Sequence, residues 1–359
     1  SPAVARSFAM SAAGSKGSVF SLAGASKSGL DTDKAVSEYS QMFSGDADDK
    51  AALAKRNEQC AKGKGKEMVD RFYTVVTDFY EYGWGPSFHF AATRNDETYA
   101  TSIRTHEYYL ALRAGFKPGD KVVDMGCGIA GPARNIARFA RCHVTGVTIN
   151  EYQVKRARQM TEQMGLSDLV NVVQGDFMKL PFADGALDGA FAIEATCHTA
   201  DKLGVYGEAY RVLKPGAYFV GYEWCTTPKY NPDNKEHRRI RHGIEVGNGL
   251  PETVATTVVD KALKDVGFEL IEAMDMVERS EYPWYQPLDA SWSWSGLRQT
   301  RLGMGLTWGL VYALETLRLA PKGSTHVQNV LVGGARHLVE GGKTGIYTPM
   351  YFFLARKPL

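Results

Sequence analysis

Val122-Val123-Asp124-Met125-Gly126-Cys127-Gly128-Ile129-Ala130-Gly131 constrains what this chain can fold into more than any other stretch. Its β-branched start reads as a buried strand, its glycines as a tight turn, and the residues after them as the opening of a helix. Glycine carries no Cβ and tolerates positive φ, so such a turn lets backbone approach a small ligand closely. Strand-glycine-helix turns also hold dinucleotide phosphates, and alone the pattern discriminates weakly. The acid just before Gly-x-Gly favours S-adenosylmethionine, because Asp124 is placed to orient the turn or to answer a cationic group.

The sequence that follows keeps the rhythm. Cys142 to Asn150 has a β-branched strand pattern, and Glu151 to Met164 is a polar helix without internal Gly or Pro. Val170 to Val173 precedes Gly175-Asp176-Phe177, Leu187 to Ile193 precedes Glu194-Ala195, and Tyr218 to Trp224 follows the breaker Lys214-Pro215-Gly216. Strands alternating with helices predict an α/β fold with a doubly wound, mostly parallel sheet, whose ligand lies beyond the strand C-terminal ends. Asp124, Asn150, Asp176 and Glu194 all fall at such ends.

Several function classes are excluded. Lys plus Arg number 42 against 40 Asp plus Glu, a net charge of +2, which argues against a nucleic-acid partner. The cysteines at 60, 127, 142, 197 and 225 form no Cys-x-x-Cys pair, so a reducing compartment is expected, with neither a disulfide framework nor a zinc site. His237 and His242 have no carboxylates at ligand spacing, so no metal is expected. No apolar run is long enough to span a bilayer, and membrane contact would be peripheral. Ser1 to Ser44, rich in Ser, Ala and Gly, reads as a flexible tail in preference to a transit peptide. Lys55 to Lys66 reads as a solvated basic stretch, in preference to a lipid-headgroup patch, ahead of a helix over Val69 to Tyr82. Between Ser280 and Lys343 the alternation breaks into an aromatic-rich cap carrying Tyr282, Trp284, Tyr285, Trp292, Trp294, Trp308 and Tyr312. Within it, Leu302 to Leu319 is an apolar helix suited to ordinary core packing, to a tunnel wall or to a membrane surface.

Six blocks in one order carry a family resemblance. They are Tyr80-Glu81-Tyr82-Gly83-Trp84-Gly85 with Ser87-Phe88-His89-Phe90, the glycine turn, Glu194-Ala195-Thr196-Cys197-His198, Tyr222-Glu223-Trp224, Gly247-Asn248-Gly249-Leu250-Pro251, and Gly345-Ile346-Tyr347-Thr348-Pro349-Met350. Together they resemble the sterol 24-C-methyltransferases from about Phe72 to Leu359. The resemblance implies a class I S-adenosylmethionine-dependent methyltransferase fold with a C-terminal cap insertion. It divides the chain into a flexible segment 1–66, a methyltransferase domain 67–279 that opens with a sterol-site helix, and a sterol methyltransferase C-terminal region 280–359. It further implies methyl transfer to C24 of a sterol with a 24(25) double bond, peripheral contact with the cytosolic side of the endoplasmic reticulum or microsomal membrane, and room for a homo-oligomer. Two other readings compete: a methyltransferase for another lipid alkene, of cyclopropane synthase or tocopherol type, and a non-enzymatic sterol-binding protein retaining the cofactor fold.

That reaction would assign roles. Attack by a side-chain alkene on a sulfonium methyl leaves a carbocation, which aromatic faces stabilise by on the order of 0.5–2 kcal/mol without trapping it. Tyr80, Tyr82, Trp84 and Tyr222 are expected to form that aromatic wall. Glu81, set among those rings and raised in pKa by desolvation, is one candidate for the final proton; Glu194 and His198 compete with it. His198 reads first as a satisfied structural histidine, and Cys127 and Cys197 as small buried packing. Asp124, Gly126 and Gly128 are expected at the methionine end of the cofactor, and Asp176 with Phe177 at the adenine. Where many methyltransferases carry an acid for the ribose this chain has Asn150, so Thr148, Asn150 and Gln153, or Glu151, are expected there. Lys235 to His242 is expected to act as a lid or as a plain solvated helix.

Overall fold

Local sequence fixes the elements before packing does. In the computed structural model, which describes residues 50–59, 65–289, 301–317 and 323–359, helices α1 (Lys50–Gln59), α2 (Gly65–Trp84) and α3 (Tyr99–Ala114) come first. Thr98 caps α3 by accepting from the Thr101 amide, and Gly115, at φ 68°, ends it. The alternating part follows: β1 (Lys121–Met125), α4 (Gly131–Ala140), β2 (His143–Thr148), α5 (Glu151–Gln163), β3 (Val170–Gln174), β4 (Leu187–Ile193), α6 (Lys202–Val212) and β5 (Leu213–Thr226). Then come α7 (Lys235–Asn248), α8 (Thr256–Val266), β6 (Glu269–Asp275), α9 (Arg301–Thr316), α10 (Ser324–Thr344) and β7 (Tyr347–Arg356). Expectations for residues 1–44, Cys60, Trp292, Trp294 and Leu319 lie outside the described residues.

The seven strands form one sheet in the order β3-β2-β1-β4-β5-β7-β6. The first five are parallel, and β7 runs antiparallel between β5 and β6. Strands covered on both faces read as continuous apolar runs, as in Val122, Val123 and Met125. One core layer packs Leu110, Ile136 and Val154 of α3, α4 and α5 under the sheet; the other packs Val205 and Tyr206 of α6 and Leu263 of α8 over it. Each such side chain stabilises the fold by about 1.5–3 kcal/mol. The expected breaker at Lys214-Pro215-Gly216 is a bulge inside β5: Leu187 pairs with Leu213 and Gly189 already with Tyr218.

Two of the expected segments carry more structure than their reading gave them. Within segment 1–66, α1 is a docked helix, and Arg56 is not solvated: it is 4% exposed and ion-paired with Glu245 of α7. Asn57 adds a 2.9 Å bond to Glu252. Region 280–359 is more than a cap, because its last strand, β7, completes the central sheet. Its helix α10 lies along α7, where Gly334 and Gly247 meet so closely that a Cβ on Gly334 would stand 2.8 Å from the Gly247 Cα. By contrast, the Gly305 and Gly309 pair on α9 faces open space. No helix among the described residues is long and apolar enough to cross a membrane.

Candidate active site

Two adjoining cavities open beyond the C-terminal ends of the parallel strands. The larger, about 440 Å³, is lined by the glycine turn, by Asp124, Thr148, Gln153, Asp176, Phe177 and Glu194, and by Gly65, Lys66, Val69 and Tyr73 of α2. The smaller, about 60 Å³, is walled by Tyr73, Tyr80, Trp84, Phe88, Phe90 and Trp224, with Asn248, Leu250 and Leu338 beyond them. Tyr73, Phe88, His89, Glu194 and His198 border both. Helix α2 thus covers the first cavity with its N-terminal half and walls the second with its C-terminal half.

Around the larger cavity the turn is built for close approach. Gly126 has φ 89°, and a Cβ there would stand 2.5 Å from the Ala195 Cβ. The amides of Gly126 and Cys127 both donate to the Val147 carbonyl, at 2.9 and 3.0 Å, which fixes the turn against β2. Gly128 borders the cavity at φ 53°. Asp124 is 2% exposed, and its Oδ2 has no hydrogen-bond partner among the described residues. Burial, and next the Glu107 charge, push its carboxyl well above the usual range. An orphaned, buried carboxylate oxygen beside a glycine cradle is the complement of a cationic ligand such as S-adenosylmethionine. Thr148 and Gln153 are joined by a 2.8 Å bond on the β2 side. Asp176 and Phe177 border the far end, with the Lys66 ammonium 3.1 Å from Asp176.

Asn150 is a correction. It caps α5 by accepting from the Gln153 amide, and its side-chain amide donates to the Asp70 carbonyl and carboxylate and to Thr74 of α2. With every polar atom engaged, it stays outside the cavity lining. Glu151 pairs with Lys155 at the surface. Thr148 and Gln153 remain at that edge.

Glu194 occupies the floor between the cavities. It follows β4 with φ 52°, a left-handed conformation that costs a non-glycine residue on the order of 1–3 kcal/mol. Its Oε1 accepts from the Phe90 amide and its Oε2 from the Trp224 indole N–H, both at 2.7 Å. Burial pushes the carboxyl up to about 8, against the lowering effects of the nearby His89 charge and of these two donors. Beneath it, the buried Glu223 accepts from Thr196 and Lys202, and Lys202 also donates to the Thr196 carbonyl at 2.7 Å, anchoring the turn.

The aromatic wall differs from expectation in membership. Tyr73, Tyr80 and Trp84 are spaced i, i+7, i+11 and share one face of α2, with Tyr80 6.1 Å from Trp84 and 5.6 Å from Phe88. Burial raises the Tyr80 hydroxyl's pKa, so it stays neutral. Glu81 is turned about 100° away by the helical period. It is not set among the rings but forms a fork with Arg156 of α5 on the outer side. The Tyr82 side chain lies outside the described residues. Tyr222 is fully buried a step below the chamber, stacked on His106 at 3.7 Å and donating to the His106 carbonyl. Trp224, two residues further along β5, reaches the chamber in its place.

His198 is tied at both ring nitrogens: Nδ1 donates to the Gly249 carbonyl at 3.2 Å, so Nε2 accepts from the Tyr73 hydroxyl at 2.9 Å. Burial lowers its pKa to about 4, and with its lone pair occupied it is a bridge between α2 and the Gly249 turn, not a free base. Cys127 and Cys197 are buried with raised pKa values, chiefly through desolvation, as packing residues would be. Sequence reasoning assigned no role to Tyr73, His89, Phe90 or Trp224. The period of α2 carried a signal for Tyr73; the position of His89 depends on a loop that no periodicity describes.

A family model for a methyltransferase domain matches residues 123–221, and one described as sterol methyltransferase C-terminal matches 294–359. The cycloartenol-C-24-methyltransferase 1 of Oryza sativa subsp. japonica is 51% identical over 84% of this chain and 88% of its own length. A sterol 24-C-methyltransferase of Saccharomyces cerevisiae is 44% identical over 90% of this chain and 86% of its own. Among solved structures, geranyl diphosphate C-methyltransferase from Streptomyces coelicolor, in complex with Mg2+, geranyl diphosphate and S-adenosyl-L-homocysteine, superposes with a TM-score of 0.57 at 16% identity. It covers 82% of this chain and 98% of that one and shares the fold.

Proposed function

This chain belongs to the sterol 24-C-methyltransferases, which transfer a methyl group from S-adenosylmethionine to C24 of a sterol side chain in sterol biosynthesis, and from that premise we propose how its two cavities divide the work. The larger cavity is the cofactor site and the smaller the chamber for the sterol side-chain terminus. The observation that carries this reading is Glu194, a strained, buried carboxyl on the border of both.

When bound, S-adenosylmethionine supplies an electrophilic sulfonium methyl group. Asp124 answers the cofactor's positive charge, and Gly126 and Gly128 admit its methionine end to van der Waals distance. Thr148 and Gln153 offer hydroxyl and amide to the ribose, and Phe177 with Asp176 borders the adenine. In the chamber, Tyr80, Trp84, Phe90 and Trp224 present π-faces to the cation left at C25 after the 24(25) double bond attacks, and they exclude water. After the hydrogen shift, Glu194, ionised and held by two donors, accepts the departing proton. At 60 Å³ the chamber must widen to admit the side chain, and the Tyr73–His198 contact lies on the border that would yield.

Helix α9 favours a peripheral membrane position, such as the cytosolic face of the endoplasmic reticulum. Trp308 and Tyr312 stack in the open at 5.3 Å, and Leu310 and Leu317 are 55% and 67% exposed beside them. Exposed Trp and Tyr among leucines suit a lipid headgroup boundary, where an insoluble sterol would be collected.

Methyl-labelled cofactor with cycloartenol, lanosterol and zymosterol tests the reading. Labelled 24-methyl or 24-methylene product is expected from the wild type. Glu194→Gln should lower kcat by at least about a hundredfold and divert residual turnover to a 25-hydroxylated sterol, the product of water capture. Full activity with unchanged products in Glu194→Gln would remove Glu194 from the acceptor role.

A further inference from the structure

His89 stands where the two cavities meet, 2% exposed, and both of its ring nitrogens face oxygen acceptors. Nδ1 is 2.6 Å from the Phe90 carbonyl, and Nε2 is 3.1 Å from Glu107 Oε1. A carbonyl can only accept, so Nδ1 carries a proton. Glu107 is itself served by donors: the Ser87 hydroxyl reaches Oε1 at 2.7 Å and the Asn135 amide reaches Oε2 at 2.6 Å. With both Glu107 oxygens accepting in this way, the carboxyl meets Nε2 as an acceptor, and Nε2 is placed to donate as well. Acceptors at both nitrogens suit an imidazolium and its positive charge.

That charge sits at one end of a short chain of bonds. Phe90 accepts from His89 through its carbonyl and donates to Glu194 through its amide, so the peptide the imidazolium clamps belongs to the residue that orients the Glu194 carboxyl. We propose that His89 is a positioning residue for methyl transfer, an imidazolium paired with Glu107 that fixes the Phe90 backbone and places a positive charge opposite Glu194, keeping that carboxyl ionisable when the chamber is dry. This rests on Glu194 as the proton acceptor. Burial opposes the charge on His89, and the Glu107 hydrogen bond and charge outweigh it, with the result that the imidazole's affinity for its proton is raised. The groups facing the ring are Glu107 and His106 of α3, Asp124 of β1 and Glu194 beyond β4. His106, stacked at 5.8 Å, is kept neutral by its own burial and by His89, so it adds no competing charge.

The experiment has two arms. In wild-type protein with 15N-labelled histidine, the His89 signal, identified by its loss in His89→Gln, should keep both ring nitrogens protonated to a higher pH than a free histidine does. Loss of the second proton at or below the pH at which a free histidine loses it would overturn the assignment, whether or not the variant is active. In the second arm, kcat is followed against pH at saturating cofactor and sterol. His89→Gln keeps one donor and loses the charge, so the acidic limb should move up by about one pH unit, roughly a tenfold loss below it, with cofactor affinity changed less than about threefold. A uniform loss with the limb unmoved would reduce His89 to a structural part and overturn the proposal. Glu194→Gln separates the two claims. If it abolishes the limb while His89→Gln leaves it in place, only the His89 inference fails; if the limb survives in Glu194→Gln, the acceptor reading fails first. Should His89→Gln not fold, Glu107→Gln, which removes the counter-charge, is expected to lower the pH at which His89 loses its second proton, and an unchanged titration would refute the pairing.

Discussion

Removing the indole donor from Glu194 gives a measurable consequence that follows from two bond lengths. In Trp224→Phe the ring remains in the chamber wall, but Oε2 loses its 2.7 Å partner, and only the Phe90 amide still serves the carboxylate. A hydrogen bond to a buried carboxylate contributes about 2 kcal/mol, which corresponds to about 1.5 pH units of proton affinity. Starting from about 8, the ionised fraction at pH 7.5 would fall from about a quarter to about a hundredth, roughly a twenty-five-fold loss of kcat. A bound sulfonium lowers the proton affinity of wild type and variant alike, so the difference between the two limbs is the quantity to read. The assay is single-turnover methyl transfer from labelled cofactor between pH 6 and 10. The sign is definite: the donor favours the carboxylate, its loss favours the acid, and activity should recover as pH rises. A deficit of equal size at every pH would show that Trp224 acts only as a wall, and the link from hydrogen bond to proton affinity to rate would be wrong.

Other perturbations test other parts of the site. Gly126→Ala places a Cβ 2.5 Å from that of Ala195 at φ 89°; a stability loss of about 2 kcal/mol and a tenfold or greater rise in cofactor Kd are expected, read by thermal unfolding and titration calorimetry. Asp124, whose proton affinity is raised by burial and by Glu107, should release a proton when the cationic cofactor binds, so affinity should increase with pH. Calorimetry over a pH series in buffers of different ionisation enthalpy would show the release, and Asp124→Asn should abolish it. Replacing Trp308 and Tyr312 with Ser should weaken sedimentation with anionic phospholipid vesicles at least fivefold while leaving turnover of detergent-dispersed sterol unchanged.

What the sequence made legible, and what it hid, follows from the range of the forces involved. The parallel strands and the polar residues at their ends were readable because β-branched runs and glycine turns act locally, and Asp124, Gly126, Gly128, Asp176, Phe177 and Glu194 all border the cavity. Glu81 was misplaced for lack of a long-range fact, that Arg156 from another helix would meet it. The same holds for Asn150, which lies at the right strand end but is drawn away by α2. Tyr222 and Trp224 share a strand face, and only the depth of α3 beneath the chamber decides which one reaches it. The resemblance to sterol methyltransferases located the aromatic block, and the helical period within that block selected Tyr80 and Trp84 and passed over Glu81.

The placement of β7 bears on how the chain is made. β5 and β6 leave the ribosome before β7, yet they cannot pair with each other, because β7 runs antiparallel between them. Until residues 347–356 are synthesised, the nascent protein carries unsatisfied strand edges and its two core layers lack Phe352 and Phe353. Assembly of the sheet is therefore a late event. A chain cut before β7 would keep β5 and β6 as open edges, which invite aggregation.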